Sequence, residues 1–148
     1  MKKSLIKTDN TVQDQNVIAD LKKKFGQKTI KKILLIQPPD TGEKEFNYAA
    51  GKRGRLYNYP PYGLGFLASQ LRKINIEVDI LNLNYEILKE CLTSKSNEEF
   101  NFDEVWQSST DKKIKNFKPD FVGLTSMFSQ SHDVLIQISD FIKELDDK

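Results

Sequence analysis

The run Ile33-Leu34-Leu35-Ile36 is four consecutive apolar residues, entered from Lys31 and Lys32 and cut off by Pro38 and Pro39. Nothing in it alternates. A strand with one wet face reads apolar and polar in turn, whereas a strand covered on both faces reads apolar throughout. The two prolines stop the element, because each removes a backbone donor and restricts the residue before it. A comparable run, Phe121 to Leu124, follows Pro119 and ends in the small polar residues Thr125 and Ser126. Between them, "INIEVDILNLN" reads as another strand centred on Val78, Ile80 and Leu81. All three are expected to be buried strands.

The segments between these runs have helical periodicity. Leu64, Leu67, Ala68 and Leu71 fall at i, i+3, i+4 and i+7 and form one apolar stripe. The connection from Tyr85 to Phe117 carries two helical patterns, Ile87 to Leu92 and Val105 to Phe117, separated by the polar "TSKSNEE". The last segment places Val134, Ile138, Phe141, Ile142 and Leu145 on one helical face, with Ser131 or Asp133 available as its N-cap. Residues 1–30 are polar, with a weak helical pattern in Val17, Ile18, Leu21 and Phe25 closed by Gly26, and read as an accessory arm ahead of a domain spanning 31–148.

Strands alternating with helices predict an α/β fold: a Rossmann-like, flavodoxin-like parallel sheet with helices on both faces, joined by right-handed crossovers in the strand order 2-1-3. In a sheet of that order the chain reverses direction between the first and third strands, and ligands collect there, beyond the carboxyl ends of the strands. Two loops are selected in advance, Gln37 to Tyr59 and Ser126 to Asp133. Sheets of this kind usually have about five strands. The pattern stops after its third βα unit, so the domain reads as truncated, with the third strand presenting an unpaired edge and the remainder supplied by a longer chain or another one.

Composition narrows the function classes. The 148 residues carry a formal charge of +2, with lysines interspersed among acids, so no global electrostatic case for nucleic acid exists. No apolar run reaches the roughly eighteen residues of a membrane span, and the first residues lack a signal-peptide core. A cytoplasmic location is expected. The single cysteine, Cys91, forms no internal disulfide and reads as a small buried hydrophobe. The lone His132 reads as a surface or capping residue beside Asp133, and Trp106 as core or inter-domain surface.

The stretch "NYPPYGLGFLASQLRK" is the most informative for function. Pro61 suits the first turn of a helix and Pro60 holds the preceding chain extended. Gly63 and Gly65 strip side chains from the helix entrance. Either a large flat or phosphate-bearing ligand approaches the bare backbone there, or the glycines let the helix pack closely on the sheet. The preceding loop, "NYAAGKRGRLYNY", mixes Lys52, Arg53 and Arg55 with Tyr48, Tyr57 and Tyr59. It is long for a βα connection, and such loops at this edge tend to be functional. Its basic and aromatic residues read as a solvated loop or as a grip on a nucleotide tail.

"ILLIQPP", "PPYGLGFLASQLRK", "IEVDILNLN" and "FKPDFVGLTSMFSQSHDVLIQISDFIKE", in this order over about Lys32 to Leu145, together resemble the amino-terminal cobalamin-binding domain of the B12-binding radical SAM enzymes. The resemblance implies a corrinoid at the carboxyl edge of the sheet, with Pro39, Tyr62, Gly63, Leu64, Thr125, Ser126, Met127 and Ser129 around it. Tyr62 and Leu64 would wall the corrin face, and Ser126 would hydrogen-bond the dimethylbenzimidazole tail. It also implies, as a partner, a radical SAM barrel whose Cys-x3-Cys-x2-Cys motif holds a 4Fe-4S cluster and cleaves S-adenosylmethionine, methylating unactivated carbons or driving ring-forming and oxidative reactions. That motif is absent from this sequence, so the barrel, its cluster and its S-adenosylmethionine belong to a domain outside it, and no catalytic residue or metal ligand is assigned here. Asp-x-His-x-x-Gly, by which many B12 proteins supply a histidine to cobalt, is also absent; the loop reads "QPPDTGEKEF". The alternative is a degenerate domain of the same origin that binds no cofactor and serves as a structural or docking module. A response-regulator-like or nucleotide-binding module lacks support, since no acidic cluster follows "ILLI" and no Gly-x-Gly-x-x-Gly follows any strand.

Overall fold

A computed structural model of the chain describes residues 29–126 and 128–146, with isolated positions before them. The expected amino-terminal arm and Met127 lie outside the described residues. Three strands form one parallel sheet in the order β2-β1-β3, with β1 at Lys32–Gln37, β2 at Glu77–Asn82 and β3 at Phe121–Leu124. Helices α1 (Tyr48–Lys52) and α2 (Tyr62–Lys73) lie between β1 and β2, α3 (Leu83–Thr93) and α4 (Phe102–Phe117) between β2 and β3, and α5 (His132–Asp146) follows β3. The α/β class, the strand order and every predicted strand and helix of the sheet are present.

β1 is the central strand. Ile33 pairs with Val78 on one side and Phe121 on the other, and Ile36 with Leu81 and Leu124. Its side chains alternate between two cores. Leu34 and Ile36 are fully buried against Ile87 of α3, Trp106 of α4, and Val134 and Ile138 of α5. Ile33 and Leu35 pack on the opposite face with Leu64 and Ala68 of α2 and Val78 of β2. Helices therefore cover both faces, as the unbroken apolar run requires. Truncating a fully buried leucine such as Leu34 to alanine costs about 2–5 kcal/mol.

β3 departs from expectation. It was read as a buried strand, but it is half-exposed, with Phe121 at 37%. Val122 and Leu124 pack on the core that α5 completes, whereas among the described residues α2 is the only helix on the other face and it lies over β1 and β2. β3 pairs only with β1 among those residues.

Three helices start on an asparagine cap. Asn47 accepts from the Ala50 amide at 2.9 Å, Asn82 from Tyr85 at 3.0 Å, and Asn101 from Glu104 at 3.1 Å. Each such cap stabilises its helix by about 1 kcal/mol relative to alanine. Helix α4 ends on Lys118 in the left-handed region, φ 51°, immediately before Pro119. No described helix is long and apolar enough to cross a membrane.

The base of the sheet is tied by Asp120, whose Oδ2 accepts the amides of Lys31 and Lys32, each at 2.8 Å, while its own amide donates to the Lys32 carbonyl at 2.9 Å. The backbone hydrogen bonds from Lys31 and then Lys32 hold this carboxyl below the usual carboxylate range. A depressed folded-state pKa contributes stability that is complete above the unfolded value and is lost as pH falls through the folded one. Asp120→Ala should therefore lower the urea midpoint at neutral pH, and the gap from wild type should narrow as pH drops below the ordinary carboxylate range. A gap independent of pH would assign the effect to something other than this carboxylate.

Thr110, fully buried on α4, has a hydroxyl with no hydrogen-bond partner among the described residues. Thr110→Val keeps the shape and removes the desolvated hydroxyl, so a gain of about 1 kcal/mol in denaturant unfolding is expected.

Candidate functional site at the carboxyl edge of the sheet

Where β1 and β3 end side by side, α2 leaves on one face and α5 on the other, and a cavity of about 590 Å³ opens between them. That volume lies within the range of small-molecule sites. One wall is the Pro38-Pro39 stop after β1, another is the Tyr59 to Leu64 entrance to α2 with Leu67 one turn on, and the third is Thr125, Ser126, Phe128 and Ser131 after β3. The lining is mostly apolar, with polar groups confined to a few positions. Two other clefts, of about 460 and 290 Å³, lie along α3 and α4 and are lined by charged side chains such as Glu86 and Lys89. The larger includes the partly exposed Asp79–Lys113 ion pair at 2.9 Å, a solvated surface rather than an enclosed seat.

The predicted residues distribute as follows. Pro39, Tyr62, Gly63, Leu64, Thr125 and Ser126 all line the cavity, brought together from three separate segments. Pro39 is fully buried, Leu64 is buried, and Tyr62 is 81% exposed at the rim. Met127 is outside the described residues. Ser129 begins a 3-10 turn, is exposed, and is not part of the lining; the buried Ser131, two residues on, takes that place. Ser131 does not act as the helix cap that its position invited: no described amide of α5 donates to its hydroxyl, which instead donates to the Phe128 carbonyl at 2.7 Å and meets the Ser126 hydroxyl. Ser126 in turn accepts from the Phe128 amide at 3.3 Å, so this hydroxyl closes the turn after β3. His132 is exposed at the start of α5 and does not line the cavity.

The entrance to α2 differs from the other helix starts. Its N-cap is Pro61, which offers no side-chain cap. The Tyr62 amide donates to Pro60 at 2.8 Å and the Gly65 amide to Pro61 at 2.9 Å, while those of Gly63 and Leu64 have no partner among the described residues. Two orphan donors thus stand at a cavity wall. The glycines also find their explanation here. A Cβ built on Gly63 or Gly65 meets nothing within 4 Å, and neither residue has a positive φ. Close packing on the sheet does not require them, and the backbone does not either. Each costs a helix roughly 0.5–1 kcal/mol relative to alanine.

The long loop between β1 and α2 is ordered by contacts that the sequence reading missed. Asn84, buried at the start of α3, accepts the Asp40 amide at 3.2 Å and donates to the Asp40 carboxylate at 3.1 Å and to the Tyr57 carbonyl at 3.4 Å. Asn82 donates to Asn58 at 3.0 Å. At the other end of α3, Lys52 donates to the carbonyls of Leu92, at 2.8 Å, and Ser94, and the Tyr48 hydroxyl lies 3.0 Å from that of Ser94. Gly51 is needed here, since a Cβ would stand 2.9 Å from the Cys91 sulfur. Lys52 and Tyr48 are therefore structural, not a grip on a ligand, and of the loop tyrosines Tyr59 alone lines the cavity. Burial pushes the Cys91 thiol up, with Lys52 partly opposing it, which disfavours the thiolate.

Comparison with protein-family models, curated proteins and solved structures finds no match to this chain. No group of His, Cys, Asp and Glu among the described residues could hold a metal ion.

Asn84→Ala removes both halves of the Asp40 clasp and leaves buried groups unpaired. A loss of about 1–3 kcal/mol is expected. Hydrogen exchange at the Asp40 amide should accelerate while exchange within β1 changes far less; uniform acceleration of both would show that the clasp is not a local fastening.

Proposed function

We propose that this chain is a cobalamin-binding module of the radical SAM methyltransferase type, presenting a corrinoid to a catalytic barrel that lies outside the sequence. The observation that carries this reading is the α2 entrance, where Gly63 has open space beside it and a cavity in front of it, at a stability cost no protein contact explains. The residues fit the group in kind. Pro39, Leu64, Leu67 and Phe128 offer apolar walls to a macrocycle, the missing Cβ of Gly63 lets its edge approach the helix, and the orphan amides of Gly63 and Leu64 can donate to a peripheral carbonyl. Tyr59 and Tyr62 at the rim would flank the parts of so large a ligand that project from the cavity. Since no histidine lines the cavity, the chain would position the corrinoid by its periphery, and cobalt would supply the methyl-transfer chemistry when bound.

The engagement of Ser126 within its own turn favours a second reading, a domain of this fold that holds no cofactor and serves as a docking or structural module. Titration with hydroxocobalamin, read by visible spectrum and thermal unfolding, separates the two. Saturating ligand, at about 100 times Kd, should raise stability by about 2.7 kcal/mol through mass action. Gly63→Leu should fold at least as stably as wild type, because leucine favours the helix, yet lose that ligand-induced gain. No spectral or thermal response from the wild-type chain would falsify the cofactor reading and leave the docking module.

A further inference from the structure

One carboxylate stands among the residues lining the cavity, Asp40. Its position is not incidental, because the chain holds it from three directions. Its backbone follows directly from the buried Pro38-Pro39 stop, its amide donates to Asn84 Oδ1 at 3.2 Å, and its Oδ2 accepts from Asn84 Nδ2 at 3.1 Å. An ionised carboxylate has about four acceptor sites and no donor. One is used by Asn84, so acceptor capacity is left over in a half-buried, largely apolar cavity where water solvates it poorly. Burial accordingly pushes the Asp40 carboxyl above its usual range, with the Gln37 side chain opposing the rise.

A fixed acceptor in such a setting selects among ligands of one shape. A ligand group that brings N–H donors satisfies it, and a group that brings a second negative charge is repelled. The corrin ring carries carboxamide side chains around its rim, and their acid counterparts have the same size and the opposite character towards Asp40.

We propose that Asp40 is a specificity-determining residue of the cavity, accepting a hydrogen bond from a peripheral carboxamide of the bound corrinoid and rejecting the corresponding carboxylate. This rests on the corrinoid reading above. Asn84 is its positioning residue, since it touches Asp40 and is not part of the cavity lining.

The test compares two probes that both lack the nucleotide tail, cobinamide, whose rim side chains are amides, and cobyrinic acid, whose side chains are acids. Visible-spectrum titration of the full chain near neutral pH should show cobinamide binding tighter by about tenfold or more, the size of a hydrogen bond to a charged group. Asp40→Asn keeps the side-chain shape and an oxygen for Asn84, and its far-ultraviolet circular dichroism should match wild type. In that variant the preference should shrink to roughly threefold or less, chiefly through improved cobyrinic acid binding. An undiminished preference in Asp40→Asn overturns the role of Asp40, as does equal binding of the two probes by wild type. Failure of both probes to bind wild type overturns the corrinoid reading itself and the inference with it.

Discussion

Everything in this molecule hangs on the double commitment of β1. Four of its residues are buried, alternate side chains serve two separate cores, and both backbone edges are occupied, one by β2 and the other by β3. A strand so placed has no alternative register, because a slip by one residue would exchange the contents of the two cores at once. Parallel neighbours on both sides also oblige each connection to cross a face of the sheet, which is why α2 lies on one face and α4 on the other.

The cavity is a by-product of that arrangement. β1 and β3 are adjacent and parallel, so their carboxyl ends open at the same edge, and the helices that follow them depart to opposite faces. The space left between is bordered by whatever the chain places just after each strand. Here that is a pair of prolines on one side and a serine-fastened turn on the other, both rigid. α2 adds a bare, uncapped turn whose Gly63 and Leu64 amides have no partner among the described residues. Asparagine side chains from the β2–α3 junction then tie the intervening loop down, so that a connection far longer than usual still presents Asp40 and Tyr59 at defined places.

How much of this could be read without coordinates depends on the range of the interaction responsible. The strands were legible because burial on both faces leaves a contiguous signature, and the helices because a stripe every three to four residues does the same. Burial of β3 was overestimated. Its composition matches that of β1, but exposure is set by whether a helix lies over it, and none of the described ones covers the Phe121 side. Ser129 and Ser131 are indistinguishable in sequence, and the tight 3-10 turn between them decides which one is buried at the cavity. The Asn47 cap and the Asn84 clasp carried no visible signal in a chain rich in asparagine, whereas Asn82 and Asn101 stand ahead of the helical patterns Ile87 to Leu92 and Val105 to Phe117 and could have been read as caps.

The amino-acid sequence by itself determined the α/β class, the order of the three strands and the main helices between them, the 2-1-3 strand arrangement and the edge at which the cavity opens. Those follow from apolar periodicity, proline stops and the handedness of crossovers, all of which act locally or as general rules of chain geometry. The tertiary structure alone decided whether the glycines at α2 serve packing or face open space, which serine is enclosed, and which carboxylate stands in the cavity wall. These are questions of distance between groups remote in the chain, 44 positions apart for Asp40 and Asn84, and only the folded sheet brings such groups within reach of one another.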